Sequence, residues 1–254
     1  FLGETAVRKA LYTGLNRQRM VDQILSGQAI LADGPIFPGT WAYNEAIQRV
    51  NFDATQAQDM LVEAGYVISA EDVTVRAKDG NQLAFNLIYP DTPEHEQIAQ
   101  AIQKDWEALQ VRVELEAVPY DILLNERLAS RDFQAALVDI NLARSPDPDP
   151  YPFWDQVQAT SGQNYTQWDN KMASDYLENA RITLDISERA RLYRNFQAIF
   201  TEELPALPLF YPVYNYAVDT QVQGIRMGPL FDASDRFSSV TDWFLQARRS
   251  TPLP

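Results

Sequence analysis

Residues 83–142 show two alternating kinds of hydrophobic pattern, and this alternation limits the folds that the chain can adopt. Apolar residues recur at every second position over 83–89 and again over 111–117, which is typical of strands, and at helical spacing between these two segments. A short helix is expected over 121–130, followed by a buried strand over 133–142. Helices of this length can cross over a parallel sheet, so the pattern predicts an α/β fold in which helices flank a mainly parallel sheet.

Helical spacing and capping residues also predict elements outside this unit. A break at Gly14 divides the first helical stretch, and Asn16 is expected to cap the helix that follows. Asp53 begins another helix through a variant of the capping box. Two longer helices are predicted over 171–184 and 187–203.

The balance of ionisable residues argues against several classes of function. Lys and Arg number 21 against 35 Asp and Glu, which gives a formal net charge of −14. Such a surface repels polyphosphate backbones and anionic lipids, so we expect neither nucleic acid nor an anionic membrane as a partner. The chain has no cysteine and a single histidine, His95, which excludes thiolate chemistry and metal sites built on several histidines. No cofactor or bound metal is expected, and no apolar run is long enough to span a bilayer.

Motifs of catalysis and nucleotide binding are missing from the sequence. It contains no G-x-G-x-x-G, Walker A, G-x-S-x-G or H-E-x-x-H pattern. Paired carboxylates could in principle hydrolyse glycosides, but among 35 acidic residues a pair has no specificity. We therefore expect a protein that is not an enzyme, and a carboxylate-dependent hydrolase is the less favoured alternative.

The most suggestive local feature is the segment 145–152, in which four prolines at alternate positions exclude helix and central strand. We expect a rigid loop at the end of the third strand, where open α/β sheets commonly bind ligands. Asp147 and Asp149 lie in this loop near Tyr151 and Trp154, and carboxylates beside aromatic rings suit a cation such as an α-amino terminus. The aspartates could instead cap the following helix, or bind calcium, although the loop lacks the EF-hand glycine and glutamate.

Two other segments offer recognition residues. Asn164, Tyr165 and Trp168 supply an amide, a phenol and an indole in one short polar loop, a combination typical of ligand pockets. The alternative is an ordinary surface loop with one buried aromatic. Trp41, in the irregular segment 27–52, is a further candidate, although an aromatic in a loop more commonly anchors the local core.

Several segments, taken in order, resemble the family 5 solute-binding proteins of ABC importers, which include dipeptide-, oligopeptide- and nickel-binding proteins. Asn16 stands where this family usually has Asp. The segments that carry the resemblance are 7–11, 16–21, 34–41, 53–66, 147–154, 162–165, 188–193, 203–211, 224–226 and 236–243. The resemblance implies one lobe of a type II periplasmic-binding-protein fold, in which two α/β lobes close on a ligand.

The resemblance also implies a division of the chain into two parts. Phe1 aligns with the middle of such proteins, so residues 1–230 are expected to form their C-terminal α/β lobe. Residues 231–254, with a strand at 240–245, would return to an N-terminal lobe that this sequence does not contain.

The function implied by the resemblance is capture of an extracellular solute and its delivery to the transmembrane subunits of an ABC permease. A di- or oligopeptide is the first expectation, a chelated metal or an oligosaccharide is the alternative, and a scaffold for a protein partner is a third class. The family is extracytoplasmic, either periplasmic or lipid-anchored at the outer face of the cell membrane.

The resemblance implies roles for the candidate residues as well. In peptide-binding members an Asp of the Asp-Pro loop holds the amino terminus of the ligand, a role that falls to Asp147 or Asp149. The Asn-Tyr loop and nearby aromatic residues line the cleft in such proteins. The residues implied to line it here are Trp154, Asn164, Tyr165 and Trp168.

Overall fold

The computed structural model describes residues 1–68, 73–142, 147–227 and 233–246, which contain nine α-helices and ten strands. The helices are α1 (Thr5–Thr13), α2 (Arg17–Gln23), α3 (Ala54–Glu63), α4 (Pro93–Glu107), α5 (Tyr120–Ile122), α6 (Tyr151–Trp154), α7 (Gln158–Ser161), α8 (Lys171–Ile182) and α9 (Ile186–Glu203). The strands are β1 (Ala29–Leu31), β2 (Val67–Ile68), β3 (Arg76–Lys78), β4 (Asn81–Gln82), β5 (Ala84–Pro90), β6 (Arg112–Val118), β7 (Ala135–Ala136), β8 (Phe210–Pro212), β9 (Val222–Gln223) and β10 (Phe244–Leu245).

A parallel sheet in the order β6–β5–β7 forms from the unit predicted by the hydrophobic pattern. β5 and β6 pair along their whole length, whereas β7 pairs with β5 only through Ala135 and Ala136. The expected buried strand over 133–142 is therefore wrong in both extent and burial. The pairing of β5 with β7 ends at Ile88, two residues before β5 itself ends at Pro90, and residues 135–138 are only half-buried.

The predicted helix starts are confirmed by their side-chain caps. Asn16 accepts the N–H of Arg19 at 3.0 Å, and Asp53 accepts the N–H of Gln56 at 2.9 Å. The predicted helix over 121–130 is also present, as α5 continuing into a π-helical segment, Leu123–Leu128. Side-chain capping satisfies N–H groups that have no partner inside the helix.

The first core joins α1, α3 and α4 to one face of the parallel sheet. Trp106 of α4 donates its indole N–H to the carbonyl oxygen of Leu11 at 2.9 Å, which links the two helices. At Gly14, after α1, a Cβ atom would lie 2.4 Å from Cδ1 of Leu109 and 3.3 Å from Cβ of Ala57. The helices can approach this closely because position 14 has no side chain.

The second core lies between α8 and α9 and contains aromatic residues of the segments that precede α8. Tyr193, Phe196 and Phe200 of α9 are fully buried in it. Trp154 packs edge-on against Phe200 with ring centroids 4.7 Å apart, and Trp168 does so at 6.0 Å. The helices α8 and α9 therefore form the layer that supports the segments 147–154 and 162–168.

Buried arginines connect distant segments through main-chain carbonyl groups. Arg17 and Arg76 are 3% and 5% exposed, and Arg8 is half-buried. The accepting carbonyls are those of Leu2, Glu203 and Leu204 for Arg8, Ala32, Val50 and Pro208 for Arg17, and Tyr66 and Leu109 for Arg76. A guanidinium has five donors in a fixed fork, which suits it to this bracing of loops and helix ends.

The last described segment, residues 233–246, packs on the segment after β8. Its core is an aromatic group in which the ring centroids of Phe237 and Trp243 lie 5.8 Å apart, and Tyr216 contacts both. The strand expected at 240–245 is shorter in the structure: residues 240–242 form a 3-10 turn, and only β10 pairs, with β9. Residues 231, 232 and 247–254 of the predicted returning segment lie outside the described residues.

No helix in the described part of the chain is long and apolar enough to cross a bilayer.

Candidate ligand-binding site

Asp147 is held by an arginine from the helix layer. Arg189 of α9 pairs with its Oδ2 atom and also donates Nε–H to the carbonyl oxygen of Ala180 at 2.9 Å. The guanidinium carbon of Arg189 lies 5.2 Å from the ring centroid of Trp41 and 5.9 Å from that of Tyr193. Asp147 and Trp41 are therefore brought together around one cation, which is fixed by a carbonyl group and two rings.

Asp149 combines two of the roles considered for it. Its Oδ1 atom accepts the N–H of Tyr151 at 3.1 Å, in agreement with the capping alternative. Its Oδ2 atom lies 3.1 Å from Nε of Arg181, whose guanidinium carbon is 4.2 Å from the ring centroid of Tyr151. Burial raises the pKa of the Asp149 carboxyl, and the Tyr151 N–H and the Arg181 charge partly oppose this rise.

Asn164 organises the polar loop from inside. It is fully buried, and its Nδ2 group donates to the carbonyl oxygens of Asp155 at 3.0 Å and Trp168 at 2.9 Å. Its Oδ1 atom accepts the N–H of Trp168 at 3.1 Å and the hydroxyl of Thr166 at 3.0 Å. With both ends of the amide occupied by the loop itself, Asn164 fixes the course of residues 162–168.

Two tryptophans of the candidate set also lie below the surface. Trp154 is 4% exposed and Trp168 is 8% exposed, and the indole N–H of Trp168 donates to Oε2 of Glu203 at 2.7 Å. Direct contact with a ligand is expected of both, and of Asn164, from the sequence. In the structure all three side chains are buried and hold the loops together, and direct contact with a ligand stays a prediction for them.

Tyr165 differs from its neighbours because it faces the parallel sheet. It is half-buried and packs in a cluster whose buried members include Ile88 of β5 and Val118 at the end of β6. Among the described residues, nothing hydrogen-bonds the Tyr165 hydroxyl. The tyrosine therefore lies near the carboxyl edge of the sheet with a free polar group, in the region where open α/β sheets commonly bind ligands.

Three arginines and one glutamate at the site were not predicted from the sequence. Arg181 and Arg189 neutralise the two aspartates, Arg131 contacts Tyr165, and Glu203 accepts the indole N–H of Trp168. Of these four residues, only Arg189 could have been linked to the site from the local sequence, because it lies one helical turn before Tyr193 on the same helix. No group of three or more His, Asp or Glu in the described residues is arranged to hold a metal ion.

Sequence comparisons give a consistent set of relatives. The family described as bacterial extracellular solute-binding proteins, family 5, matches residues 1–164 through its middle part. The chain is 26% identical over 243 residues to the oligopeptide-binding protein AppA of Bacillus subtilis, which covers 94% of this chain and 44% of AppA. It is 25% identical over 231 residues to the dipeptide-binding protein of Escherichia coli, covering 90% of this chain and 41% of that protein. The chain thus spans about half the length, or slightly less, of the curated relatives it matches.

Solved structures show the same fold. AppA of Bacillus subtilis in complex with a nonapeptide superposes with a TM-score of 0.78 at 24% identity, covering 96% of this chain and 48% of that one. NikZ of Campylobacter jejuni in complex with Ni(L-His) gives a TM-score of 0.74 at 23% identity, covering 94% and 48%. These likenesses confirm the predicted α/β fold of type II periplasmic binding proteins. Because the family match covers well over half of its residues, the chain belongs to the bacterial extracellular solute-binding proteins, family 5.

Proposed function

We propose that this chain is a ligand-binding lobe of an importer's solute-binding protein and that its ligand is a di- or oligopeptide. One observation carries the proposal: Asp149 already holds a cation, the Arg181 guanidinium, against the face of Tyr151. A carboxylate beside an aromatic ring is the combination that an α-ammonium group needs. Relatives named for dipeptides and oligopeptides, and the AppA complex with a nonapeptide, support a peptide as the ligand.

Asp149 is the better of the two aspartates for this role. The Arg181 side chain is 48% exposed, so a ligand ammonium could replace it without opening the core. The Arg189 side chain is 18% exposed and is also bound to a carbonyl group and stacked on two rings. We therefore propose that Asp149 exchanges Arg181 for the amino terminus of the peptide, while Asp147 fixes the loop.

The proposed mechanism is closure of two lobes around the captured solute, followed by docking to an ABC permease. Residues 1–230 would form one lobe, and residues 231–254 would return to the other. Several apolar side chains of the last segment, including Phe244 and Leu245 at 59% and 71% exposure, are consistent with a surface that another lobe covers. The protein would act outside the cytoplasm, periplasmic or lipid-anchored, and as a receptor without catalytic activity.

The second candidate ligand is a chelated metal ion. The structure of NikZ with Ni(L-His) favours it, because that protein has the same fold. The described residues offer no cluster of three metal ligands, so a metal would have to arrive already bound by a small chelator. An oligosaccharide would bind through the aromatic residues of the loops. Of the three ligand classes, it has the least support from the residues of this chain.

Calorimetric titration of the full-length protein with di- to pentapeptides tests the peptide proposal. Nickel–histidine complexes and oligosaccharides serve as comparison ligands. Asp149→Asn keeps an oxygen for the Tyr151 N–H but removes the charge, so we expect it to weaken peptide binding by about tenfold or more. Asp175→Asn on the exposed face of α8 is the matched control, and it should bind like the unchanged protein.

The possible outcomes test the assignment of the site and the assignment of the ligand class independently. Peptide binding that is unaffected by Asp149→Asn would reject Asp149 as the amino-terminus site while retaining the peptide. Binding of a nickel complex or an oligosaccharide, without any peptide binding, would reject the peptide and assign the ligand to that class.

A further inference from the structure

We infer that Arg131 positions the loop 162–168, and with it Tyr165, at the carboxyl edge of the parallel sheet. This inference goes beyond the proposed function, and it rests on that function only where it predicts a change in peptide affinity. Arg131 is a positioning residue, since it acts through Tyr165 and through the carbonyl groups of the loop.

The contacts of Arg131 join two segments that have no main-chain pairing with each other in the described residues. Its NH2 group donates to the carbonyl oxygens of Gly162 at 2.8 Å and Gln158 at 3.4 Å. Its NH1 group donates to the carbonyl oxygens of Leu128 and Ala129, both at 3.0 Å. One guanidinium therefore connects the end of the π-helical segment to the end of α7, the helix from which the loop departs.

The positive charge of Arg131 suits its position beside two helix carboxyl ends. Helix carboxyl termini carry partial negative charge because their last carbonyl groups have no partner inside the helix. The accepting carbonyls of Leu128 and Ala129 lie at the end of the π-helical segment, and that of Gly162 directly follows α7, so a cation stabilises both helix ends at once. The fourth acceptor, the carbonyl of Gln158, begins α7 and also accepts the N–H of Gly162 at 3.0 Å. A lysine ammonium has the same charge, but its single nitrogen cannot reach four carbonyl groups in two directions.

The main chain at Arg131 adopts a conformation that is uncommon for a residue with a long side chain. Its φ angle is +61°, in the left-handed region that glycine and asparagine favour and that strains most residues with a Cβ atom. Glycine would relieve this strain but would remove the guanidinium. The hydrogen bonds of the Arg131 guanidinium to four carbonyl groups offset this backbone cost.

Tyr165 is the group through which the positioning reaches a ligand. The Arg131 guanidinium carbon lies 5.2 Å from the Tyr165 ring centroid, within the range of cation–π attraction. The Tyr165 ring also packs against the apolar cluster that contains Ile88 and Val118 of the sheet. The ring thus contacts both a cation and the cluster at the sheet, and these two contacts hold it in place.

The test uses the full-length protein with Arg131→Met and Arg131→Lys, and Arg127→Met as the matched control. Arg127 lies in the helical segment just before Arg131, but it pairs with Glu116 and with the carbonyl of Asp132 rather than with the loop. Hydrogen exchange of the amides of residues 162–168 is measured without ligand, and the dissociation constant for trialanine is measured by calorimetry. The two readouts are independent, because the first does not require a ligand.

We expect Arg131→Met to accelerate exchange across the loop by about tenfold or more and to raise the dissociation constant by a similar factor. Arg131→Lys should restore only part of each change, and Arg127→Met should alter neither. In a Tyr165→Ala background, Arg131→Met should have little further effect on affinity, because the residue through which it acts is gone. A merely structural arginine would instead weaken binding equally in both backgrounds.

Unchanged loop exchange in Arg131→Met would overturn the inference, whatever the ligand. Full restoration of exchange by Arg131→Lys would overturn the part that assigns the effect to the guanidinium fork. If trialanine does not bind the unchanged protein, the peptide proposal fails for that ligand, and the exchange measurement still decides the role of Arg131.

Discussion

Glu203 at the end of α9 accepts the indole N–H of Trp168 at 2.7 Å, across 35 residues of sequence. Its second oxygen accepts the side-chain amide of Asn170 at 2.6 Å, so a single carboxylate anchors the end of the polar loop and the start of α8. Glu203→Leu would leave the buried Trp168 N–H without a partner. We expect the free energy of unfolding to fall by about 2 kcal/mol, measured by urea denaturation.

The neighbouring Glu202 provides the control for that change. It is exposed and lies on the same helix. Glu202→Leu should change the free energy of unfolding by less than about 0.5 kcal/mol. Equal losses in the two variants would mean that the loss of an acidic residue from α9, and not the Trp168 contact, causes the effect.

The pair formed by Arg189 and Asp147 should contribute measurably to the stability of the Asp-Pro loop. Arg189→Met keeps much of the packing against Trp41 and Tyr193 but removes the charge. We expect a loss of about 1–2 kcal/mol for Arg189→Met or Asp147→Asn alone, and a coupling energy near 1 kcal/mol in the double-mutant cycle. Additive losses would show that the two groups act independently.

A surface pair on the same helix provides a comparison for this cycle. Arg191 is 59% exposed and pairs with Glu188 three residues earlier. Exposed pairs contribute little because solvent screens them, so Arg191→Met should leave the free energy of unfolding nearly unchanged.

The raised pKa of Asp149 predicts how stability changes with pH. Burial is the main cause of the rise above the ordinary value of 3.8. A carboxyl with a raised pKa binds more protons in the folded state, so its contribution to stability is full below its unfolded pKa and is lost as pH rises through the folded pKa. Asp149→Asn lacks this loss, so its stability relative to the unchanged protein should rise as pH rises above the ordinary pKa of aspartate, until the Asp149 carboxyl is ionised in the folded state.

Urea denaturation of both proteins at closely spaced pH values measures this difference. It should be flat below the ordinary pKa of aspartate and should level off again once the carboxyl is ionised in both states. A difference that decreases with pH would mean that Arg181 and the Tyr151 N–H outweigh burial at Asp149.

The close approach of three elements at Gly14 predicts a large effect from one methyl group. Gly14→Ala would place Cβ 2.4 Å from Cδ1 of Leu109, and one of the two must shift. We expect a loss of about 1–3 kcal/mol, measured by thermal or urea unfolding. Gly3→Ala is the control, since its Cβ would meet nothing within 4 Å and should cost little.

Local features of the fold were predictable because their causes are local. Asn16 and Asp53 cap the helices that follow them, and a cap depends on residues three positions away. The alternating apolar residues of β5 and β6 are also a local feature, and they predicted the two strands that pair in parallel. The extent of β7 did not, because it depends on where β5 ends and on what covers the sheet beyond it.

The candidate site could be predicted only in part. The Asp-Pro loop was identifiable from its prolines, whereas the partners of its acids, Arg181 and Arg189, lie more than 30 residues further along the chain. With 21 basic and 35 acidic residues, charge alone does not select a pair. Burial of Trp168 matches the buried aromatic that the sequence offered as an alternative, whereas burial of Trp154 depends on packing against Phe200 of α9, which the local sequence does not reveal.

The arginines that donate to main-chain carbonyl groups affect the electrostatic potential that a diffusing solute meets at the surface. Arg8, Arg17, Arg76, Arg131 and Arg189 all donate to carbonyl groups from buried or half-buried positions. The positive charges of these arginines are buried or half-buried, whereas most acidic side chains of the described residues are exposed to solvent. Diffusional encounter with a cationic solute should therefore be faster than with an anionic one, and added salt should reduce that advantage.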